Sequence, residues 1–328
     1  MSYFGRKVLV SGAGGFIGSQ LTEWLVVEGA RVRVFIRYNS QAKKGWLDEA
    51  PPEVCKSIEV IRGDLKDPEA VRQAVRGSEI VFHLGALIAI PFSYQNPTDF
   101  FQTNVLGTLH IANACREFGV ERLVHTSTSE VYGTAKQVPM AEDHPQTGQS
   151  PYSASKIGAD RLVESFILSF GLPAVILRPF NTYGPRQSER AVIPTIVRQA
   201  LFDNMLRLGS LHPTRDFTYV SDTVEGFCLA GVTEGIAGRT LHFGAGKETS
   251  VRELADLVMQ LAGRTIPLEQ EAVRLRPPGS EVDRLLCDAG EFRRLTGWEP
   301  KVSLVDGLRR VIDFQRARPQ ATRTEFVV

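Results

Sequence analysis

The sequence predicts an α/β protein in which a doubly wound parallel sheet carries a smaller, irregular α/β lobe on its C-terminal side. Two observations support this fold class. From residue 7 to about residue 180, short apolar and β-branched runs alternate with amphipathic stretches, which is typical of a parallel sheet covered by helices on both faces. After residue 180 the rhythm gives way to sequence rich in proline and arginine, followed by two well-marked helices. A chain of 328 residues is long enough for both parts.

The first part of the chain contains six predicted strands and four predicted helices. The strands are Lys7–Val10, Arg31–Ile36, Ile58–Arg62, Ile80–Leu84, Leu123–Thr126 and Ala174–Leu177. The helices are Gly18–Glu28, Pro68–Val75, Asn104–Phe118 and Pro151–Phe170. Because parallel sheets of this kind bind ligands at the carboxyl ends of their strands, we expect the chemistry in the residues that follow each strand.

The second part of the chain contains two further helices. Ser250 and Glu253 form a capping box in front of Val251–Ala262, and a second amphipathic stretch covers Leu304–Gln315. These boundaries divide the chain into a sheet domain of residues 1–180, to which a segment of about 216–245 returns, a lobe of residues 181–316, and a tail of residues 317–328.

Composition and charge argue against several classes of partner. Lys and Arg number 38 against 37 Asp and Glu, and this net charge of +1 gives no reason to expect nucleic acid or an anionic membrane as partner. No apolar run approaches the roughly 18 residues of a membrane span, and no signal peptide is recognisable, so we expect a cytoplasmic protein. The four cysteines form no Cys-x-x-Cys pair, so we expect neither a metal site nor a disulfide framework.

A glycine-rich turn directly follows the first predicted strand. It runs Gly12-Ala13-Gly14-Gly15-Phe16-Ile17-Gly18 and opens a helix. Glycines at 12, 15 and 18 permit a tight turn, close approach of the backbone to a pyrophosphate, and close packing of helix on strand. The helix dipole favours the anion. The pattern and its position predict a Rossmann-type dinucleotide site formed by Gly12, Gly15, Phe16, Ile17 and Gly18.

The end of the second strand bears on which dinucleotide is bound. An acidic residue there would hydrogen-bond the ribose hydroxyls of NAD, but the sequence has none. Arg37 and Ser40 could instead accept a 2′-phosphate, which favours NADP over NAD, with a solvated surface arginine as the open alternative. Asp64 and Leu65, after the third strand, are positioned to meet the adenine edge.

Tyr152 and Lys156 are four residues apart on a strongly predicted helix with Ser150 as its cap. This spacing puts both side chains on one face. An ammonium group beside a phenol lowers the pKa of the tyrosine, so that it can accept a proton from a hydroxyl as hydride leaves the carbon. The pair therefore predicts an oxidation site, provided that other motifs support it.

Five motifs together resemble the extended short-chain dehydrogenases/reductases that act on nucleotide-sugars. The resemblance extends from residue 7 to about residue 315. The motifs are the glycine turn, the run Thr128-Ser129-Glu130-Val131-Tyr132-Gly133, Tyr152-x-x-x-Lys156, Arg178-Pro-Phe-Asn181-x-Tyr-Gly-Pro185, and Arg215-Asp-Phe-Thr-Tyr-Val-x-Asp222.

The resemblance implies roles for further residues. Thr128 would hydrogen-bond the sugar 4-hydroxyl beside Tyr152, and Lys156 would also hold the nicotinamide ribose. Asn104 would support the site from a neighbouring helix. Contacts to the dinucleotide would come from Leu84, Ala86 and Thr126, and the nucleotide diphosphate would be bound by Asn181, Val192, Arg215 and Arg276.

Glu130 is informative about the reaction. Simple 4-epimerases of the family usually lack a carboxylate there, whereas a 4,6-dehydratase needs a base for the C5 proton of the 4-keto sugar. Many 4,6-dehydratases carry aspartate where this chain has Ser129, so that in a dehydratase either Glu130 would serve both steps or a water molecule or Ser129 would relay the proton. Thr-Ser-Glu also resembles UDP-glucuronate decarboxylases. The run Leu87–Tyr94 and the segments around Glu130 and Tyr152 most closely resemble the dehydratases of bacterial legionaminic-acid pathways, which act on nucleotide-linked N-acetylglucosamine.

The resemblance therefore favours a lyase, an NAD(P)-dependent 4,6-dehydratase acting on UDP- or GDP-N-acetylglucosamine, with the cofactor tightly bound and regenerated in each cycle. A decarboxylase, a 4-epimerase and a non-enzymatic dinucleotide sensor of the same fold are the alternatives. The family also implies a homodimer formed by helices of about 98–118 and 151–170. An apolar stripe fits this interface and fits internal packing equally well; it comprises Val105, Leu109, Ala112, Leu162 and Phe166.

Overall fold

Seven parallel strands form the central sheet in a computed structural model that describes residues 2–318. Their order across the sheet is β10-β6-β5-β4-β1-β2-β3. They are β1 Lys7–Ser11, β2 Arg31–Arg37, β3 Glu59–Gly63, β4 Ile80–His83, β5 Arg122–Thr126, β6 Ala174–Pro179 and β10 Thr240–Phe243. The predicted fold class and all six predicted strands are confirmed.

The seventh strand, Thr240–Phe243, is one that the sequence did not predict as a strand. It pairs in parallel with β6, with Thr240 opposite Ile176 and His242 opposite Arg178. Polar Thr240 and His242 alternate with Leu241 and Phe243, so this segment lacks the run of adjacent apolar residues that marks the predicted strands, and it is recognisable as a strand only through its long-range partner. The chain therefore leaves the sheet after β6 and returns at β10 to complete its edge.

Helices cover both faces of the sheet. Alternate residues of each strand enter two cores, so that Leu9 and Val81 face one set of helices while Val8 and Val10 face the other. The helices are α1 Phe16–Val27, α2 Pro52–Ser57, α3 Pro68–Val75, α4 Ile90–Gln95, α5 Pro97–Phe101, α6 Gly107–Glu117, α7 Pro151–Phe170, α8 Val192–Phe202, α9 Val220–Val232, α10 Val251–Ala262, α11 Gly290–Thr296 and α12 Leu304–Arg316. None of them is long and apolar enough to cross a membrane within the described residues.

The predicted helix Asn104–Phe118 begins earlier and is irregular. Helix α5 continues through a π-helical turn, Gln102–Leu106, into α6. Inside this turn, Asn104 Nδ2 donates to the backbone oxygen of Leu87 at 2.9 Å and to Oγ of Ser155 at 2.9 Å, while its Oδ1 accepts from the Leu87 amide at 2.8 Å. The wider turn lets the buried amide reach these partners, which a helical pattern in the sequence does not reveal.

The lobe is built from short strands and the last helices. Helix α8 packs against α10 and α12, and the capping box of Ser250 with Glu253 begins α10 as predicted. Arg186 joins the lobe to the sheet domain, because its Nη1 lies 2.7 Å from a carboxylate oxygen of Glu23 on α1. The strands of the lobe are β7 Asn181–Tyr183, β8 Leu206–Leu208, β9 Thr214–Tyr219, β11 Glu248–Ser250 and β12 Leu268–Gln270.

The apolar stripe suggested for α6 and α7 lies only partly at the surface. Ala112 and Phe166 are buried in the core beside the sheet. Phe101 and Leu106, in contrast, are 43% and 46% exposed. An apolar groove of about 460 Å³ lies between them, lined by Pro97, Thr98, Phe101, Gln102, Val105 and Leu106.

Candidate active site

The glycine turn joins β1 to α1 at the carboxyl end of the sheet. Gly12 has φ +72°, and a Cβ added to it would lie 2.7 Å from the amide nitrogen of Gly85, so the loops after β1 and β4 touch. A Cβ on Gly18 would overlap the carbonyl oxygen of Gly12, which fixes the helix close to the turn. Gly15 is exposed and forms the N-cap of α1 without a side-chain cap from any described residue.

These features fit the pyrophosphate of a dinucleotide. The first turn of α1 contains no acidic residue, so its amide donors, including those of Phe16 and Ile17, remain available to an anion. A Cβ added to Gly15 would meet only the carbonyl oxygen of Gly12, at 3.2 Å, and a side chain there would project into the approach to the helix N terminus. The predicted cofactor residues of this turn are therefore together in one place.

A cavity of about 170 Å³ continues from the glycine turn along the strand ends. Five predicted cofactor residues line it, namely Gly12, Arg37, Asp64, Leu65 and Ala86. Leu84 is half-buried at the end of β4, next to this loop, whereas Ser40 is exposed and outside the lining. Sequence reasoning missed the ion pair at the rim, in which Nζ of Lys66 lies 2.9 Å from a carboxylate oxygen of Asp99.

Tyr152 and Lys156 lie on one buried face of α7. Thr128 lies within reach of the Tyr152 hydroxyl and lowers its pKa, and Nζ of Lys156 donates to the backbone oxygen of Thr126 at 2.6 Å. Burial lowers the pKa of Lys156 to about 8, against the opposing charge of Asp160. The structure thus brings together the predicted residues of α7 and those that follow β5.

The expected lowering of the Tyr152 pKa is wrong for the protein as described. Burial raises the pKa of this phenol above its usual value, and the negative charges of Glu130 and Asp160 raise it further, while the hydrogen bond to Thr128 lowers it. The sequence shows only the spacing of tyrosine and lysine. It does not show how completely both groups are removed from water, and burial has the larger effect here.

Glu130 and Ser129 begin a short 3₁₀ helix, Ser129–Tyr132, at the end of β5. Thr128 caps this turn, because its Oγ1 accepts from the Glu130 amide at 3.2 Å. Glu130 is only 7% exposed, and its Oε2 lies 3.6 Å from Nη1 of Arg276. The turn therefore holds the carboxylate on the same side of the sheet as Tyr152, close enough for its charge to act on the phenol.

Two arginines predicted to bind the diphosphate both contact the carboxylate of Glu281, a residue that the sequence did not single out. Nη2 of Arg215 lies 3.9 Å and Nε of Arg276 lies 3.8 Å from the same oxygen of Glu281. Nη1 of Arg276 and Oδ1 of Asn181 are buried and make no hydrogen bond to any described residue. Such atoms are suited to a polar ligand. Val192 begins α8 and is half-buried.

Asp160 is a further residue that sequence reasoning missed. Its Oδ2 accepts from Oγ of Ser127 at 2.8 Å and from Nε of Arg178 at 3.0 Å, and its Oδ1 lies 3.3 Å from Nε2 of His125. Burial alone would raise the pKa of this carboxyl, but His125 and the Arg178 guanidinium hold it below its usual value. The available signal was its position four residues after Lys156 on the same helix face.

Comparison with known proteins gives the family. The sequence pattern of the family described as GDP-mannose 4,6 dehydratase matches residues 9–311. UDP-glucose 4-epimerase from Mycolicibacterium smegmatis is 32% identical over 320 residues, covering 96% of this chain and 100% of that protein. UDP-N-acetyl-alpha-D-glucosaminuronate decarboxylase from Bacillus cytotoxicus is 30% identical, covering 95% of this chain and 98% of that protein.

Solved structures agree with this placement. DesIV, a dTDP-glucose 4,6-dehydratase from Streptomyces venezuelae determined with NAD bound, is similar with a TM-score of 0.84 at 30% identity, covering 94% of this chain and 97% of that one. NAD is thereby supported as the cofactor. The chain belongs to the GDP-mannose 4,6 dehydratase family of extended short-chain dehydrogenases/reductases, a family of NAD-dependent enzymes that modify nucleotide-sugars.

Proposed function

We propose that this protein is a nucleotide-sugar 4,6-dehydratase acting on UDP- or GDP-linked N-acetylglucosamine. The observation that carries the proposal is the buried carboxylate of Glu130, held by the cap of Thr128 on the same side of the sheet as Tyr152. A 4-epimerase has no step that needs a second carboxylate base. A dehydratase needs one for the C5 proton.

The residues around Tyr152 are suited to oxidation at C4. Tyr152 can accept the proton of the sugar 4-hydroxyl only as a phenolate, and burial opposes that form in the protein as described. Nζ of Lys156 donates to the Thr126 carbonyl, and below a pH of about 8 its positive charge, on the same helix face as Tyr152, would favour the phenolate together with the positive charge of the oxidised cofactor when it is bound. NAD, held by the glycine turn and the cavity beside it, supplies the hydride acceptor and donor when it is bound.

Glu130 is suited to the elimination. Once C4 is a ketone, the proton on C5 is acidic and the Glu130 carboxylate removes it. The C6 hydroxyl then leaves as water, and we assign the return of the proton to that oxygen to Glu130, since the hydroxyl of Ser129 is too weak an acid to replace aspartate. The hydride taken from C4 would return to C6 and a solvent-exchangeable proton would be added to C5, so that oxidation at C4 is balanced by reduction at C6. The net change is the loss of one water molecule from the sugar.

The diphosphate of the substrate would be held by the arginines near Glu130. Arg215 is buried and Arg276 half-buried, and among the described residues their ion-pair contacts to Glu130 and Glu281 are 3.6–3.9 Å, longer than hydrogen bonds. A diphosphate can therefore draw both guanidinium groups toward itself. Asn181 and the start of α8 at Val192 would complete this side of the substrate site.

Mass spectrometry of the products tests the proposal. The purified protein is incubated with UDP- and GDP-N-acetylglucosamine and with UDP-glucuronate. Loss of water from an N-acetylglucosamine donor is expected and would name the nucleotide. Loss of carbon dioxide from the glucuronate would instead assign Glu130 to a decarboxylase, the activity named for one relative. No mass change with any donor would favour an epimerase or a dinucleotide sensor.

The NADP preference predicted from Arg37 stays a prediction beside the NAD supported by the family. Arg37 is exposed at the end of β2 and lines the cavity with Asp64. If its guanidinium meets a 2′-phosphate, Arg37→Gln should weaken NADP binding about tenfold and leave NAD binding unchanged. Calorimetric titration with each cofactor measures both affinities. An equal change for the two cofactors would remove Arg37 from this role.

We also propose that the chain forms a homodimer through the groove beside Leu106. Apolar side chains at 43–46% exposure around a groove of about 460 Å³ are suited to burial against a second copy. Leu106→Asp should raise the dimer dissociation constant about 100-fold, measured by light scattering at graded concentrations. Val27→Asp, at a site 78% exposed on α1, is the control. Unaltered dimerisation in Leu106→Asp would reject this interface.

A further inference from the structure

Residues 38–46, here called the strap, cross directly over the glycine turn. The Trp46 amide donates to the carbonyl oxygen of Gly14 at 3.0 Å. A Cβ added to Gly14 would lie 2.6 Å from the carbonyl oxygen of Lys44, and one added to Gly45 would overlap the carbonyl oxygen of Gly14. The two backbones are therefore in contact, and a glycine on each side makes the crossing possible.

Gly14 has no assigned part in the dinucleotide fingerprint, which uses glycines 12, 15 and 18. The contact with the strap supplies a reason for this fourth glycine. Gly14 directly precedes Gly15, the N-cap of α1, where an anion would bind. The strap thus touches the turn one residue away from the pyrophosphate position.

The strap is held in shape by its own hydrogen bonds. The Asn39 side chain donates to the Lys43 carbonyl at 2.8 Å and accepts from the Lys43 amide at 3.0 Å. Ala42 takes a left-handed conformation with φ 53°, and Nη2 of Arg62 on β3 donates to its carbonyl at 3.2 Å. A segment braced in this way differs from a free surface loop, although most of its side chains are exposed.

The C-terminal helix fastens the far end of the strap. The ring of Trp46 lies 6.1 Å from that of Phe314 on α12, and the Arg318 guanidinium lies 4.6 Å from the Trp46 ring and 4.4 Å from the Phe314 ring. Arg318 also forms an ion pair with Glu49. Leu47, the residue after Trp46, is fully buried. Moving the strap off the glycine turn requires these contacts to break.

We propose that the strap is a retention device for the dinucleotide, fastened by Trp46, which must open before the cofactor can leave. An enzyme that regenerates its cofactor within each cycle gains from slow release. Retention concerns any reaction that returns the hydride to the sugar, so it goes beyond the dehydratase assignment. Its measurement is release of cofactor, whereas the reaction is tested by product mass.

The test follows the release of NADH by its fluorescence after mixing the loaded protein with excess NAD. Trp46→Ala should release NADH at least about tenfold faster than the wild type, since an aromatic pair and a cation–π contact are lost. Trp46→Phe, which keeps a ring under Arg318, should restore most of the retention. Phe118→Ala is the matched control, because it removes another arginine-stacked aromatic residue far along the chain from the strap.

A wild-type release rate in a folded Trp46→Ala variant would overturn the proposal, and so would faster release in Phe118→Ala to the same degree. If Trp46→Ala does not fold, amide hydrogen exchange of the wild-type protein tests the proposal instead. Saturating NAD should slow amide exchange in residues 38–46 by at least about tenfold, since the ligand stabilises the closed state by mass action. Unchanged exchange in these residues would equally overturn it.

Discussion

Glu130→Gln is expected to reduce kcat by about 10²–10⁴, the range in which general acid–base catalysis contributes to rate. Glutamine keeps the size of the side chain and cannot take the C5 proton. Oxidation at C4 depends on Tyr152 and Thr128, so the variant should still show the substrate-induced absorbance change of the nicotinamide. In D₂O the wild-type enzyme should incorporate deuterium from solvent, and the variant should not. Mass spectrometry of the sugar measures this incorporation.

The matched control for this variant is Glu142→Gln. Glu142 is a half-buried glutamate whose carboxylate accepts from the His242 amide at the edge of the sheet, and burial raises its pKa. Its replacement should leave kcat within about twofold of wild type, since surface and structural substitutions away from the reacting atoms have small effects. Normal turnover by Glu130→Gln would remove the basis for the dehydratase proposal.

Asp160→Asn is expected to lower the free energy of unfolding by about 3–5 kcal/mol, the cost of breaking a buried ion pair by removing one partner. The Arg178 guanidinium is 4% exposed and would be left without its carboxylate, whose Oδ2 lies 2.9 Å from Nη2 and 3.0 Å from Nε. Urea denaturation followed by circular dichroism measures the loss. Glu164→Gln, which removes an exposed ion pair with Arg161 on the same helix, should change stability by less than about 1 kcal/mol.

The pH dependence of the Asp160 contribution follows from the sign of its shift. Its pKa in the folded protein is below the usual value of about 3.9, so the contribution is fully present above that pH and is lost as pH falls through the depressed folded pKa. The stability difference between wild type and Asp160→Asn should therefore be constant from pH 5 to neutrality, within about 0.5 kcal/mol, and shrink below about pH 4. A difference under about 1 kcal/mol at pH 7 would contradict the ion-pair assignment.

The pH dependence of kcat/KM should also depend on Asp160. Asp160 opposes the burial that lowers the Lys156 pKa to about 8. Without that charge the lysine loses its proton at a lower pH, so the alkaline fall of kcat/KM should move to lower pH in Asp160→Asn. A purely structural role would lower the rate equally at every pH. The pH profile of kcat/KM separates the two.

Much of the sheet could be predicted from the sequence because its strands carry their own pattern. Each buried parallel strand is a short apolar run, and the helix caps of α7 and α10 are marked by Ser150 and Ser250. The strand Thr240–Phe243 and the π-helical turn could not be predicted in this way. Both depend on partners distant in sequence, β6 for the strand and the Leu87 backbone for Asn104.

The same distinction between local and long-range contacts applies to the residues of the site. Tyr152 and Lys156 lie on the same face because they are four residues apart on one helix, and the sequence alone predicts this arrangement. Asp160 on α7 contacts His125 on β5, Ser127 just after β5, and Arg178 on β6. Glu281 contacts Arg215 and Arg276 within the lobe. The sign of the Tyr152 pKa shift also depends on burial by the whole fold. Chemistry carried by one element was predictable, and chemistry assembled from several was not.

The π-helical turn at Gln102–Leu106 makes the helix irregular where Asn104 forms its hydrogen bonds. Such a turn amounts to one residue inserted into an α-helix, and deleting that residue would restore the ordinary bonding ladder. The deletion would also rotate Asn104 by about 100°, the angle between successive residues of a helix, away from Leu87 and Ser155. Straightening the helix would therefore gain one regular backbone bond and lose three hydrogen bonds of a buried amide, so the irregular turn carries its own compensation beside the helix of Tyr152.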